Sequence, residues 1–173
     1  MKKFVAAIAV LLISSSAIPA HSAPNSLVNC ASIKSSATDT SEALPCLDGS
    51  KGVAISAIRG PAIVNVWGSW CYPCRQEMPY FVALHKKYGD QVQLIGVDVS
   101  EKSPAAGRAF VNKHQMNWPN LYDVDGRTKS TFGMGVPITW FIDAQGKVLY
   151  KKVGVLSSQK ELLNLSKKYL GVK

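Results

Sequence analysis

The chain has 173 residues, with 20 Lys and Arg against 11 Asp and Glu, a formal charge of +9, and is 47% hydrophobic and 18% charged. That balance excludes a disordered, collagen-like or low-complexity protein, and the length suits one domain that buries roughly 65–70% of its unfolded surface. Such a domain folds without a disulfide scaffold, so its four cysteines call for another explanation.

Lys2 and Lys3 precede an apolar run over residues 4–13, and small polar residues follow at 14–17. This is the pattern of a signal peptide, residues 1–22, cleaved after Ser22 or Ala20. The run is half the length of about 20 residues that a spanning helix needs; the alternative is an uncleaved N-terminal anchor. Leu27, Val28, Asn29 and Cys30 resemble a lipoprotein box only faintly, because Asn29 is a poor residue before the cysteine, and lipidation is rejected. Loss of residues 1–22 removes two lysines and leaves a charge of +7. Export also places the chain in an extracytoplasmic space, secreted or periplasm-like, where disulfides are permitted.

Residues 23–43 are rich in Ser, Ala, Thr and Asn and read as an extended leader. From Leu44 the pattern becomes globular, with a turn cluster at residues 48–52. Residues 61–67 have the β-branched and aromatic content of a buried strand. A helix is predicted over residues 72–88, with Met78, Phe81, Val82, Leu84 and Tyr88 on one face, Pro79 as an internal kink and Gly89 as its stop. Residues 92–99 form the next strand, so the two strands are parallel around a right-handed crossover. A second helix spans residues 103–115 with Pro104 at its first position. A short extended stretch runs from 118 to 122. Residues 138–142 and 147–150 flank a turn as a hairpin. The last helix covers residues 159–170, opened by a capping box at Ser158 and Glu161. No linker divides the chain, and the order of elements gives a mixed sheet with helices on its faces.

The most specific feature is Cys71 and Cys74, three apart between a buried strand and a helix. Cys71 falls at the helix N-terminus, where unpaired N–H groups and the positive dipole end stabilise a thiolate, and Arg75 adds positive charge. Cys71 can attack a substrate sulfur and Cys74, deeper in the turn, can resolve the mixed disulfide. Trp70 and Tyr72 are placed on the rim around the sulfurs, and Trp67, Trp118 and Trp140 in the core. Cys30 and Cys46 most simply form a structural disulfide closing about a 15-residue loop, worth roughly 3 kcal/mol. A second redox couple and free thiols are the competing readings.

The stretch VNVWGSWCYPCRQEMPYF resembles the active-site segment of the TlpA/ResA-like (DsbE-like) thiol–disulfide oxidoreductases of the thioredoxin superfamily. The resemblance continues through Gly96-Val97-Asp98, Leu121-Tyr122-Asp123 and Gly135-Val136-Pro137-Ile138-Thr139 to Ile142, Asp143 and Gly146, and covers residues 44–170. It implies an α/β thioredoxin-like fold over residues 44–173, a central mixed β-sheet flanked by helices, with the TlpA-type N-terminal extension and central insert. It also implies that Pro137 is cis and faces the cysteine pair, and that Val136 offers backbone groups to an extended substrate by strand addition. Thioredoxin carries a buried Asp where this chain has Asn65, so that proton route is absent. The ResA-like members instead have a Glu three residues after the second cysteine, which Glu77 matches; it could relay a proton between the thiols. The alternative for Glu77 is a solvent-facing place on the helix. Pro73 resembles the reducing members. The implied activity is reduction of protein disulfides, for example apocytochrome c cysteines before haem attachment, fed by a membrane electron donor; an oxidase of the same fold is the runner-up.

Other classes fit less well. Haem attachment needs CxxCH, and residue 75 is Arg. Cys30 and Cys46 lack zinc-ligand spacing, and His85 and His114 read as helix-surface and loop-edge residues rather than copper ligands. No metal or other cofactor is expected. A thiol peroxidase would want Thr or Ser three residues before its cysteine, where Gly68 stands; a binding module without catalysis is the remaining option. Gly133 and Gly135 precede a strand, not a helix, which excludes a nucleotide loop. Residues 147–173 hold seven lysines and one glutamate, suited to an anionic membrane surface or to a solvated helix face. No aromatic interleaving points to nucleic acid, and a monomer is expected.

Overall fold

The computed structural model describes residues 27–36, 42–133 and 135–173; the signal-peptide reading lies outside the described residues. Five strands form one sheet: β1 (Ala62–Trp67), β2 (Gln93–Val99), β3 (Asn120–Asp123), β4 (Ile138–Ile142) and β5 (Val148–Val153). Their order across the sheet is β3-β2-β1-β4-β5. β1 is central and all six of its residues are buried, as a strand covered on both faces requires. It runs parallel to β2 and antiparallel to β4, while β2–β3 is parallel and β4–β5 antiparallel. The parallel pairs enclose helices α1 (Tyr72–Tyr88) and α2 (Pro104–Lys113); a short α3 (Lys129–Phe132) precedes β4, and α4 (Gln159–Leu170) follows β5.

Alternation along β1 divides the core. Ile63 and Trp67 face a cluster built with Met78, Phe81 and Leu84 of α1, Phe110 and Val111 of α2 and Leu162 of α4. Ala62, Val64 and Val66 face a second cluster with Cys30, Ile33, Leu44, Cys46, Ile58 and Phe132. The long helices thus cover one face. The other is covered by the N-terminal segment and α3, a lighter cover than helices on both faces. Trp67 stacks on Phe110 with ring centroids 4.7 Å apart. Each aliphatic side chain so buried contributes roughly 1.5–3 kcal/mol.

The N-terminal segment does more than cover a face. Leu47 N–H donates to the Asn120 carbonyl at 2.8 Å and Tyr122 N–H to the Pro45 carbonyl at 2.8 Å. The free edge of β3 is therefore capped by the chain's own backbone. Cys30 and Cys46 form a disulfide within this segment.

The last helix is capped as expected at Ser158, whose side chain accepts from Glu161 N–H. The reciprocal half differs: the Glu161 carboxylate accepts from Ser157 N–H and Oγ–H instead of from Ser158. One flanking donor is satisfied either way. Glu161 also pairs with Lys152 of β5 at 3.2 Å, tying α4 to the sheet edge.

Candidate active site

β1 ends at Trp67, and the chain turns before α1 begins. Cys71 N–H donates to the Gly68 carbonyl at 3.0 Å, so Ser69 and Trp70 are the central residues of a turn that delivers Cys71. Cys71 is the N-cap of α1, in extended backbone conformation, and its Sγ accepts from Cys74 N–H at 3.1 Å. Pro73 occupies the first helical turn, where its missing N–H costs nothing. Cys71 and Cys74 are joined in a disulfide with Cα atoms 5.3 Å apart. Cys74 is fully buried and Cys71 only 3% exposed.

The rim is apolar. Trp70 and Tyr72 are 54% and 64% exposed, among the most exposed large hydrophobic residues described. The Arg75 guanidinium lies 5.6 Å from the Tyr72 ring centroid and adds charge at the mouth. Val136 packs against the same cluster that contains Cys71 and Cys74. The Val136–Pro137 peptide is cis, and the Pro137 carbonyl accepts from Gly154 N–H at 3.0 Å. A groove of about 40 Å³ is lined by Trp70, Val99, Lys129, Phe132 and Val136. A larger cavity of about 460 Å³, lined by Leu44, Trp140 and Ile142, lies on the other sheet face, away from this pair of cysteines.

Glu77 does not face solvent. It is fully buried, on the stripe of α1 that also carries Cys74, Met78 and Phe81. One carboxyl oxygen accepts from Asn65 Nδ2–H at 3.1 Å and the other from Leu156 N–H at 3.1 Å. Burial pushes its pKa up to about 7, opposed by those two hydrogen bonds. Asn65 and Glu77 thus sit together, a residue pair that local sequence spacing alone does not bring into contact.

A second buried carboxyl escaped the sequence reading. Asp98, at the end of β2, is fully buried and pushed up to about 9, chiefly by burial and then by the neighbouring Glu101 carboxyl. The readable signal was an acidic residue inside a buried parallel strand, a position that is costly unless the group is neutral or paired. His85 lies edge-on to Trp118 and His114 beside Phe110; burial lowers both pKa values. Among the described residues no cluster of His, Cys, Asp and Glu could hold a metal ion, and no helix is long and apolar enough to cross a membrane.

Comparison with known proteins gives this geometry a family. The model described as the AhpC/TSA family matches residues 34–151, well over half of the chain. The chain belongs to that family. Within it, the chain is similar to thiol-disulfide oxidoreductase ResA of Bacillus anthracis, at 34% identity over 111 residues, 62% of this chain and 63% of that protein. It is also similar to thiol:disulfide interchange protein DsbE of Pseudomonas fluorescens biotype C, at 36% identity over 115 residues, 65% of this chain and 63% of that protein. The chain therefore spans somewhat less than two thirds of these relatives' lengths. Among solved structures, MTB dsbF in its mixed oxidized and reduced forms matches with a TM-score of 0.65 at 26% identity, over 77% of this chain and 99% of that one. The fold is thioredoxin-like, as the CxxC segment implied.

Proposed function

We propose that the chain is an extracytoplasmic thiol–disulfide oxidoreductase that reduces protein disulfides through Cys71 and Cys74. The observation that carries this reading is the cysteine pair at the N-terminus of α1, beneath an apolar rim and one helical turn from the buried Glu77.

In the reduced protein the Cys71 thiolate, favoured by the helix N-terminus, attacks one sulfur of a substrate disulfide. A mixed disulfide forms and the other substrate sulfur leaves as a thiolate, taking a proton. Glu77, with its pKa near neutrality, accepts the proton of Cys74. The Cys74 thiolate then attacks Cys71 Sγ, the second substrate thiol leaves, and the Cys71–Cys74 disulfide remains. Two electrons have passed to the substrate, and a membrane electron donor restores the dithiol. Trp70 and Tyr72 flank the attacking sulfur, Pro73 holds the first turn, and Val136 with Pro137 receives an extended substrate segment. Cytochrome c maturation is the setting suggested by the ResA-like resemblance.

Cys30 and Cys46 have a structural role in this scheme. They face the opposite side of the sheet from Cys71 and Cys74, which argues against a relay. The exposed Lys160, Lys167 and Lys173 suit peripheral contact of a monomer with an anionic membrane surface. A thiol peroxidase reading is disfavoured by Gly68 at the position where that chemistry wants a hydroxyl.

The test is a Cys74→Ser variant incubated with extracytoplasmic protein extract. It accumulates mixed disulfides on Cys71, identified by mass spectrometry; their absence sinks the exchange reading. Equilibration with glutathione sets the direction: a potential below about −200 mV is expected, whereas one near −120 mV makes the protein an oxidant.

A further inference from the structure

The turn that presents Cys71 is gripped from outside α1. Its two central residues are held by the chain that leaves β2. Trp70 Nε1–H donates to the Val99 carbonyl at 3.3 Å. Ser69 donates twice to Glu101, from its backbone N–H to Oε1 and from Oγ–H to Oε2, the latter at 2.8 Å. Ser100, at φ 56°, takes the left-handed conformation that side-chain-bearing residues rarely adopt, and so folds Glu101 back over the turn.

Beneath Glu101 lies Asp98. Neither of its carboxyl oxygens has a hydrogen-bond partner among the described residues, and the nearby Glu101 carboxyl raises its pKa further. α2 closes the other side with bare backbone, since a Cβ on Gly107 would fall 1.9 Å from Asp98 Oδ2. β1 contributes Trp67, opposite Asp98 in the register. β3 brings Tyr122 and Asp123, neither of them basic. The α2 cation next to Gly107, Arg108, donates instead to the Leu47 carbonyl. Among the described residues no Lys, Arg or His forms a salt bridge with either carboxyl. Burial, and then the neighbouring Glu101 carboxyl, keep the proton on Asp98 up to about pH 9.

We propose that Glu101, gripping Ser69 beside the partnerless buried carboxyl of Asp98, is a positioning residue that clamps the Gly68–Cys71 turn and sets the reactivity of Cys71. Protonated Asp98 puts no second negative charge beside Glu101, Glu101 grips Ser69, and the cysteine is delivered to the helix N-terminus. Removal of the Asp98 proton sets a buried carboxylate against Glu101, which withdraws from Ser69, and Cys71 loses part of the stabilisation of its thiolate. This assignment rests on the exchange reading for its biological meaning, but not for its test.

The test is the rate of Cys71 carboxamidomethylation in the reduced full chain between pH 6 and 10.5, compared with that of Asp98→Asn. The amide introduced by Asp98→Asn stays uncharged at every pH and mimics protonated Asp98, and the ratio of the two rates cancels the thiol titration they share. The ratio of variant to wild type is expected near one up to pH 8 and at least threefold higher by pH 10.5, as wild-type Asp98 loses its proton near pH 9. Glu101→Ala, which removes both bonds to Ser69, is expected to slow the reaction severalfold at pH 7 with far-UV circular dichroism unchanged. A ratio that stays flat to pH 10.5, or a Glu101→Ala rate equal to wild type, overturns the clamp. Should Asp98→Asn not fold, Glu101→Gln, which also leaves one carboxyl in the pair, takes its place in the same ratio. Alkylation needs no protein substrate: absent mixed disulfides on Cys74→Ser defeat the exchange reading, whereas a flat ratio defeats only the clamp.

Discussion

Replacing Glu77 by Gln probes the buried carboxyl beside the cysteines without disturbing its shape. In the unfolded chain this group ionises near 4.5, and in the fold near 7. The folded state therefore holds the proton more tightly. Its contribution to stability is fully present below about pH 4.5 and is lost as pH rises through 7. Above pH 8 the ionised form costs the fold roughly 3 kcal/mol relative to the protonated one. Glutamine has no such cost. Its Oε1 can keep the Leu156 N–H bond, while its Nε2 faces Asn65. Asn65 can turn its amide over and accept through Oδ1, an atom with no partner in the wild type, so both hydrogen bonds survive.

Urea unfolding of the oxidised protein at pH 5 to 8.5, followed by tryptophan fluorescence, reads the effect. Asp98 also ionises toward the top of this range, but it does so in both proteins and cancels in the difference. The Gln variant is expected to be more stable than wild type by somewhat under ~1 kcal/mol at pH 5 and by roughly 3 kcal/mol at pH 8.5. A difference that does not change with pH refutes the role of burial. A variant less stable at pH 8.5 shows instead that the hydrogen bonds from Asn65 and Leu156 outweigh the desolvation of the carboxylate.

Two further outcomes follow from the packing. Removing the Cys30–Cys46 bridge by double substitution to Ser is expected to lower the unfolding free energy by about 3 kcal/mol, with the alkylation rate of reduced Cys71 unchanged; a changed rate would connect the two pairs and revive the relay reading. Gly96→Ala places a Cβ 1.8 Å from Asn120 Oδ1 and 2.7 Å from Trp67 Nε1, between a donor and acceptor that bond at 3.2 Å. It is expected to cost at least about 2 kcal/mol in urea unfolding, and a neutral result would mean that Asn120 can move aside without loss.

Local pattern made much of this molecule legible. The run that became β1 is apolar and β-branched because it is covered on both faces, and the helix of residues 72–88 announced itself by its apolar stripe. Pattern failed where an edge relaxes its demands. β5 continues to Val153 through Lys151 and Lys152, three residues past the expected end at Tyr150, because an edge strand accommodates lysines: Lys151 lies over the Trp140 ring at 4.2 Å and Lys152 pairs with Glu161 of α4. α3 has four residues, too few to show a helical period.

The site divides along the same line. Cys71 and Cys74 are specified by spacing alone. Glu77 was half-legible: the resemblance singled it out, but a solvent-facing place on the helix stayed open, although Cys74, Glu77, Met78 and Phe81 share one stripe. Its partner was not legible, because the Asn65 contact depends on how α1 is rotated over β1. The Asp98–Glu101 pair was least legible of all. An aspartate near a strand end reads as the onset of a loop, and a glutamate beyond it reads as solvated. Only the parallel pairing that sets Asp98 beside Trp67 and the left-handed Ser100 bring both to the base of the Cys71 turn. The two buried carboxyls then differ in what opposes their burial. Glu77 has two donors that partly restore its ionised form, whereas Asp98 has only another acid, which is why Glu77 is poised near neutrality and Asp98 well above it.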